Sequence, residues 1–128
     1  MKVLLITEDV QLPIQTQRIL RGWAQLSICS FENMKQKMND GYDIIIIDFN
    51  QTRVKNKSYK AILDIKDKES IPVLAIMEKS SVLDQFEVLS MGILDFLERP
   101  TNDKVYLTKI KQLCKWKWYF DLEKRMRN

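Results

Sequence analysis

The sequence has no histidine, few glycines and no long hydrophobic run, and each of these features excludes a class of function. Without histidine there is no His-based acid–base catalysis, no catalytic triad that uses histidine and no His-ligated zinc. The only glycines are Gly22, Gly41 and Gly92, so no glycine-rich phosphate loop follows the first predicted strand, which argues against a dinucleotide-binding domain. No apolar run approaches the roughly 18 to 20 residues of a membrane span.

Cysteine is also scarce. Cys29 and Cys114 lack the spacing of metal ligands or of a redox pair, so we interpret both as reduced thiols of the core. The chain begins Met1-Lys2-Val3 and enters an apolar run without a signal-peptide pattern, so we expect it in the cytoplasm.

The 128 residues suffice for one domain with a single core, and a composition of 45% hydrophobic and 30% charged residues is typical of soluble globular proteins. The formal net charge of +4 is unevenly distributed. Residues 104–128 hold eight Lys or Arg against two acids, a local +6, which leaves −2 for residues 1–103. The main body is therefore not expected to bind nucleic acid, and only the C-terminal segment has the charge to do so.

Five apolar runs have the composition of buried strands, and each is followed by a segment with helical spacing. The runs cover residues 3–6, 25–31, 42–48, 71–76 and 93–97, and the helical segments cover residues 10–23, 31–38, 59–65, 82–89 and 101–127. This repetition predicts an α/β fold, a five-stranded doubly wound parallel sheet with helices on both faces. The third run contains four consecutive isoleucines, so we expect its strand at the centre.

Polar side chains follow four of these strands at the points where they end. They are Thr7, Glu8 and Asp9 after the first strand, Asp48 at the end of the third, Glu78 after the fourth and Arg99 after the fifth. Because the carboxyl ends of parallel strands meet at one edge of the sheet, carboxylates and a cation would converge there. Such a site could hold a divalent metal ion and a phosphoryl group.

The closing segment, residues 92–100, carries the most specific pattern, Gly92-Ile93-Leu94-Asp95-Phe96-Leu97-Glu98-Arg99-Pro100. Together with the residues at the strand ends, it makes the whole chain resemble the receiver domain of bacterial two-component response regulators, whose closing motif is Gly-Ala-x-Asp-Tyr/Phe-Leu-x-Lys-Pro. The separation of 22 residues between Met77 and Arg99 matches that between the family's hydroxyl residue and its lysine. The resemblance implies a flavodoxin-like receiver fold, a non-enzymatic signalling role in a phosphorelay, and a sensor histidine kinase or phosphotransfer protein as partner.

Carried over residue by residue, the resemblance makes Asp48 the phosphoacceptor and Arg99 the residue that contacts the phosphoryl group. Weakly bound Mg²⁺ is the expected cofactor. Its ligands would be Glu8, Asp48 and the backbone carbonyl of Asn50, with Asp9 as a substitute for the first of the family's two acids. The switch positions would be Met77 and Phe96.

Among the departures from the family pattern, three weaken the predicted site. Thr7 replaces the first of two acids, Met77 lacks the hydroxyl that contacts the phosphoryl group, and Glu78 adds bulk and negative charge at the mouth of the site. These departures favour a rival hypothesis, in which the chain is a phosphorylation-independent pseudo-receiver that serves as a protein-interaction or dimerisation module.

Each site residue also has a plainer interpretation. Asp48 could be a turn or capping residue, Glu8 and Asp9 helix caps, Met77 a core filler, Arg99 a counter-ion of Glu8 and Asp48, and Phe96 an ordinary strand aromatic. The sequence leaves these alternatives open.

The final helix continues beyond the usual end of such a domain. We predict a receiver domain over residues 1–115 and an extension of the last helix over residues 116–128. A stripe at three- and four-residue steps, formed by Leu107, Ile110, Cys114, Trp118, Leu122 and Met126, would leave apolar surface exposed. A homodimer through this helix, a kinase helix or an output domain could cover it. Nucleic acid is not expected as a partner, and no transmembrane segment is expected.

Overall fold

The computed structural model describes residues 1–38, 40–49, 71–78, 82–90, 92–99 and 102–127. The strands in these ranges are β1 (Lys2–Ile6), β2 (Gln25–Cys29), β3 (Ile44–Phe49), β4 (Val73–Met77) and β5 (Asp95–Glu98). The helices are α1 (Gln11–Leu20), α2 (Met34–Met38), α3 (Val82–Ser90) and α4 (Asp103–Arg127). The helix predicted at residues 59–65 and the proposed metal ligand Asn50 lie outside the described residues.

The five strands form one parallel sheet in the order β2-β1-β3-β4-β5. Ile6 of β1 pairs with Ile47 of β3, and Asp48 of β3 pairs with Ile76 of β4. This register brings the carboxyl ends of the three strands to the same edge of the sheet. The predicted α/β fold with a five-stranded parallel sheet is confirmed, as is the central position of the isoleucine strand.

The isoleucines of β3 are buried on both faces of the sheet. Ile45 and Ile47 point into one core cluster, which includes Met34 of α2, whereas Ile44 and Ile46 point into a second cluster with residues of α1 and α4. All four isoleucines are at most 1% exposed. An uninterrupted apolar run therefore forms a strand here because helices cover both faces of a parallel sheet.

Glycines adopt left-handed conformations after two of the helices. Gly22 has φ +74° and Gly92 has φ +87°, a region that residues with a side chain rarely adopt. The amide of Gly92 donates to the carbonyl of Leu89 over 3.1 Å, so this glycine caps the end of α3. The first helix ends earlier than predicted, at Leu20, because the backbone leaves the helical region at Arg21, with ψ 127°, and at Gly22, with φ +74°.

The last helix, α4, is continuous over 25 residues. Asn102 caps its start, because its Oδ1 accepts a hydrogen bond from the amide of Val105 over 2.8 Å. The buried residues of α4 are Tyr106, Ile110 and Leu113, so the helix runs on beyond the core. Among the described residues, no helix has the length and apolar character needed to cross a membrane.

Candidate functional site

Asp48 lies at the carboxyl edge of the sheet, next to Thr7. Because Ile6 and Ile47 are paired, the residues that follow them lie side by side. The Thr7 hydroxyl donates to Oδ2 of Asp48 over 2.5 Å, and the same hydroxyl oxygen accepts the amide of Asp9 over 3.0 Å. A hydroxyl thus binds the carboxylate where the family pattern has an acid.

Arg99, which follows β5, supplies the cation of the site. Its Nη2 is in contact with Oδ2 of Asp48, and its Nη1 lies 3.6 Å from Oδ2 of Asp9. The backbone positions this residue, because the Arg99 amide donates to the carbonyl of Met77 over 2.7 Å. Its buried Nε has no hydrogen-bond partner within the described ranges. The guanidinium therefore bridges the two carboxylates.

The environment of Asp48 shifts its pKa. The side chain is 10% exposed, and burial raises the pKa above its ordinary value. The Thr7 hydrogen bond and the positive charge of Arg99 act in the opposite direction, but burial outweighs them. Burial therefore makes the ionised form of Asp48 less favourable than it is in water, and the contacts with Thr7 and Arg99 reduce this free-energy cost.

Asp9 caps α1 and also faces the site. Its Oδ2 accepts the amide of Leu12 over 3.0 Å. Burial acts to raise the pKa of Asp9, but backbone hydrogen bonds from the first turn of α1 and the charge of Arg99 together lower it. Glu8, the metal ligand that the resemblance implies, is exposed. The carboxylate that lies near Arg99 beside Asp48 is thus Asp9 and not Glu8.

A hard cation would find only part of its usual ligand set here. Asp9 and Asp48 offer carboxylate oxygens at one edge of the sheet, which is the donor chemistry that Mg²⁺ prefers. Within the part of the chain that is described, no group of three or more Cys, Asp or Glu side chains is placed to hold a metal ion. Arg99 already balances both carboxylates. The donors present therefore fit a weakly held cation, not a tightly bound one.

The two predicted switch residues lie in or against the core. Met77 is 2% exposed and packs in the same cluster as Ile47 and Phe49, and Phe96 packs against that cluster while partly buried. A thioether donates no hydrogen bond and is a weak acceptor. Met77 therefore fills the space at the end of β4, the plainer role that the sequence left open, and Glu78 beside it is exposed.

Known proteins resemble this chain in sequence. It is 22% identical to the transcriptional regulatory protein CpxR homolog of Haemophilus influenzae. The alignment spans 116 residues, which are 89% of this chain and 50% of that protein. It is 29% identical to the transcriptional regulatory protein ZraR of Klebsiella oxytoca. That alignment spans 120 residues and covers 88% of this chain and 26% of that protein. The chain thus spans half or less of these curated relatives. No family model matches it.

Solved structures resemble it in fold. The signal receiver domain of a putative LuxO repressor protein from Vibrio parahaemolyticus superimposes with a TM-score of 0.78 at 21% identity, over 94% of this chain and 95% of that one. The chain has the receiver fold. A second receiver-type neighbour is an atypical orphan response regulator, described as having a phosphorylation-independent regulatory mechanism, with a TM-score of 0.74 at 19% identity over 90% of this chain and 96% of that one. The resemblance to response-regulator receivers is confirmed.

The sequence interpretation did not identify one buried polar pair, which lies close enough to Asp48 and Arg99 to feel their charges. Tyr106 of α4 and Thr16 of α1 are both fully buried, with their hydroxyl oxygens 2.8 Å apart. Thr16 donates to the carbonyl of Leu12 over 2.7 Å, so Tyr106 is the donor to Thr16. Burial raises the pKa of Tyr106 strongly. The available signal was Thr16 itself, a polar residue midway between the buried Leu12 and Leu20 on one helix face.

Proposed function

We propose that the chain is a signal-transduction receiver that accepts a phosphoryl group on Asp48. The observation that supports this is the way Asp48 is held. Thr7 and Arg99 both contact Oδ2, and among the described residues Oδ1 has no hydrogen-bond partner. One oxygen is therefore fixed, and the other is left to attack phosphorus. A carboxylate with an adjacent cation at the end of a buried strand has the groups that phosphoryl transfer needs.

The proposed donor is a phosphohistidine of a sensor histidine kinase or of a phosphotransfer protein. Oδ1 of Asp48 attacks the phosphorus, the P–N bond to the donor imidazole breaks, and an acyl phosphate forms on Asp48. The planar guanidinium of Arg99 then pairs with the phosphoryl oxygens, in place of the carboxylate that it contacts in the resting state.

Magnesium, when bound, would neutralise part of the charge on the phosphoryl group. Asp9 and Asp48 are the carboxylates best placed to hold it, and Glu8 and the carbonyl of Asn50 are the further ligands expected from the sequence. Binding should be weak, because Arg99 must give up contacts to both carboxylates before a cation can use them.

The proposed output is a protein contact on the surface formed by α3, β5 and the start of α4. Exposed apolar side chains on the two helices are Val82, Leu83, Phe86, Leu89 and Val105. Because Met77 has no hydroxyl and is buried, phosphorylation would act on this surface through the movement of Arg99. A homodimer through α4 stays a prediction of the sequence.

Acetyl phosphate with Mg²⁺, read by mass spectrometry, tests the proposal. Wild type and the exposed-site control Asp40→Asn should both gain the mass of one phosphoryl group, whereas Asp48→Asn should gain none. Equal labelling of Asp48→Asn, or no labelling of wild type at any magnesium concentration, would show that Asp48 is not a phosphoacceptor.

The second candidate function is the phosphorylation-independent pseudo-receiver. One observation favours it: Met77, at the position of the family's hydroxyl residue, packs in the core and donates no hydrogen bond. The orphan response regulator among the structural neighbours is described as regulated without phosphorylation. If this function applies, partner binding should be the same for wild type and Asp48→Asn, with or without acetyl phosphate.

A further inference from the structure

The end of α4 exposes apolar side chains that the core does not cover. Residues 116–127 are here called the α4 extension. Within it, Trp118 is 60% exposed, Leu122 37% and Met126 80%. These three residues recur every four positions, so they lie along one face of the helix. An apolar stripe of this kind in water calls for a covering surface.

The same face carries positive charge toward its N-terminal side. Lys111 and Lys115 precede Trp118 by seven and three residues, so they continue the stripe, and both are exposed. Among the residues that the structure describes, neither lysine makes an ion pair. The basic–aromatic face is defined as Lys111, Lys115, Trp118, Leu122 and Met126.

The acidic side chains of the α4 extension already have partners within the same helix. Asp121 lies 3.3 Å from the ammonium of Lys117, and Glu123 is in contact with Arg127. In a dimer through this face, the lysines of one copy would lie near those of the other. Both acids of the α4 extension are already paired within their own helix, so they are not available to balance this charge. Charge complementarity favours an anionic covering surface over a homodimer on this face.

We infer that the basic–aromatic face docks on an anionic lipid surface. Indole rings sit well at the boundary between headgroups and acyl chains, and lysine stems can extend along apolar surface with their ammonium groups among phosphates. Because a bilayer surface is flat, it can contact one face of a helix without a shaped pocket. α4 is not apolar enough to cross a bilayer, so it would lie on the surface. This inference does not depend on phosphorylation of Asp48.

Co-sedimentation with phosphatidylcholine vesicles, with and without phosphatidylserine, tests the inference. Wild type should bind only the phosphatidylserine vesicles, and added salt should weaken binding because it screens the attraction. Lys111→Gln combined with Lys115→Gln should lower partitioning about 25-fold, from about fivefold for each lysine. The matched control, Lys35→Gln with Lys37→Gln on α2, removes the same charge from exposed positions and should bind like wild type.

Fluorescence of Trp118 tests the apolar part of the face. The chain has three tryptophans, so Trp23→Phe and Trp116→Phe leave Trp118 as the single indole. Its emission should shift to shorter wavelength on phosphatidylserine vesicles, and Leu122→Gln should weaken binding.

Several results would overturn the inference. They are no phosphatidylserine-dependent binding at low salt, equal binding by the two double-lysine variants, and an unchanged Trp118 emission in the vesicle-bound state. Concentration-dependent dimerisation without vesicle binding would assign the face to a second copy. Binding to polyglutamate without vesicle binding would assign it to an acidic protein.

Discussion

Replacing Thr7 by valine removes one hydroxyl while keeping the shape of the side chain. The hydroxyl donates to Oδ2 of Asp48 over 2.5 Å, and both side chains are largely shielded, with Thr7 5% and Asp48 10% exposed. A hydrogen bond to a charged group contributes about 1.5–3 kcal/mol. Thr7→Val should therefore lower the free energy of unfolding by about 2 kcal/mol at neutral pH, measured by urea denaturation.

The penalty should depend on pH, because the hydroxyl favours the ionised form of Asp48. Burial raises the pKa of Asp48 in the folded state, and loss of the Thr7 hydrogen bond raises it further. A raised carboxyl pKa means that the folded protein binds more protons than the unfolded one, so stability is lost as pH rises through the folded pKa. The difference between wild type and variant should be small near the ordinary value of 3.8 and should widen as pH increases.

Thr108→Val is the matched control. Its hydroxyl is exposed and donates to the carbonyl of Lys104 within α4 over 2.7 Å, so its removal should cost less than about 0.5 kcal/mol at every pH. A Thr7→Val penalty no larger than that of the control would refute the reasoning. So would a penalty that persists unchanged in an Asp48→Asn background.

Three further predictions concern the metal, the switch and the helix extension. In magnesium titrations followed by NMR, Asp9→Asn should abolish the weak binding, because Asp9 lies beside Asp48, and Glu8→Gln should reduce it. Titrations like wild type in both variants would show that the metal site is misassigned. Met77→Thr should enlarge the chemical-shift response of Phe96 to beryllofluoride with magnesium, and should lower the free energy of unfolding by about 2–4 kcal/mol because Met77 is 2% exposed. An equally large response in wild type would show that no hydroxyl is needed. Truncation after Lys115 should leave the domain folded, since residues 116–127 include none that is buried, and a collapse of the thermal unfolding transition would contradict this.

The fold could be predicted largely from local sequence patterns. Four consecutive isoleucines cannot alternate between core and water, so their strand must be covered on both faces, which happens in a parallel sheet wrapped by helices. Polar residues at the ends of such strands must then share one edge, so the sequence alone predicts that Asp48 and Arg99 lie close together. The exposed stripe through Trp118 followed from helical spacing in the same way.

The contacts inside the site were decided only by tertiary structure. Thr7 looked like a missing acid, yet its hydroxyl binds Asp48, 41 positions away, because β1 and β3 are paired in register. Whether Glu8 or Asp9 faces Arg99 depends on how the chain turns into α1, since Asp9 is held by the helix amides that it caps. Sequence periodicity indicates which face of a strand is buried. It does not record where a side chain points after the strand has ended, because that direction is set by partners distant in the chain.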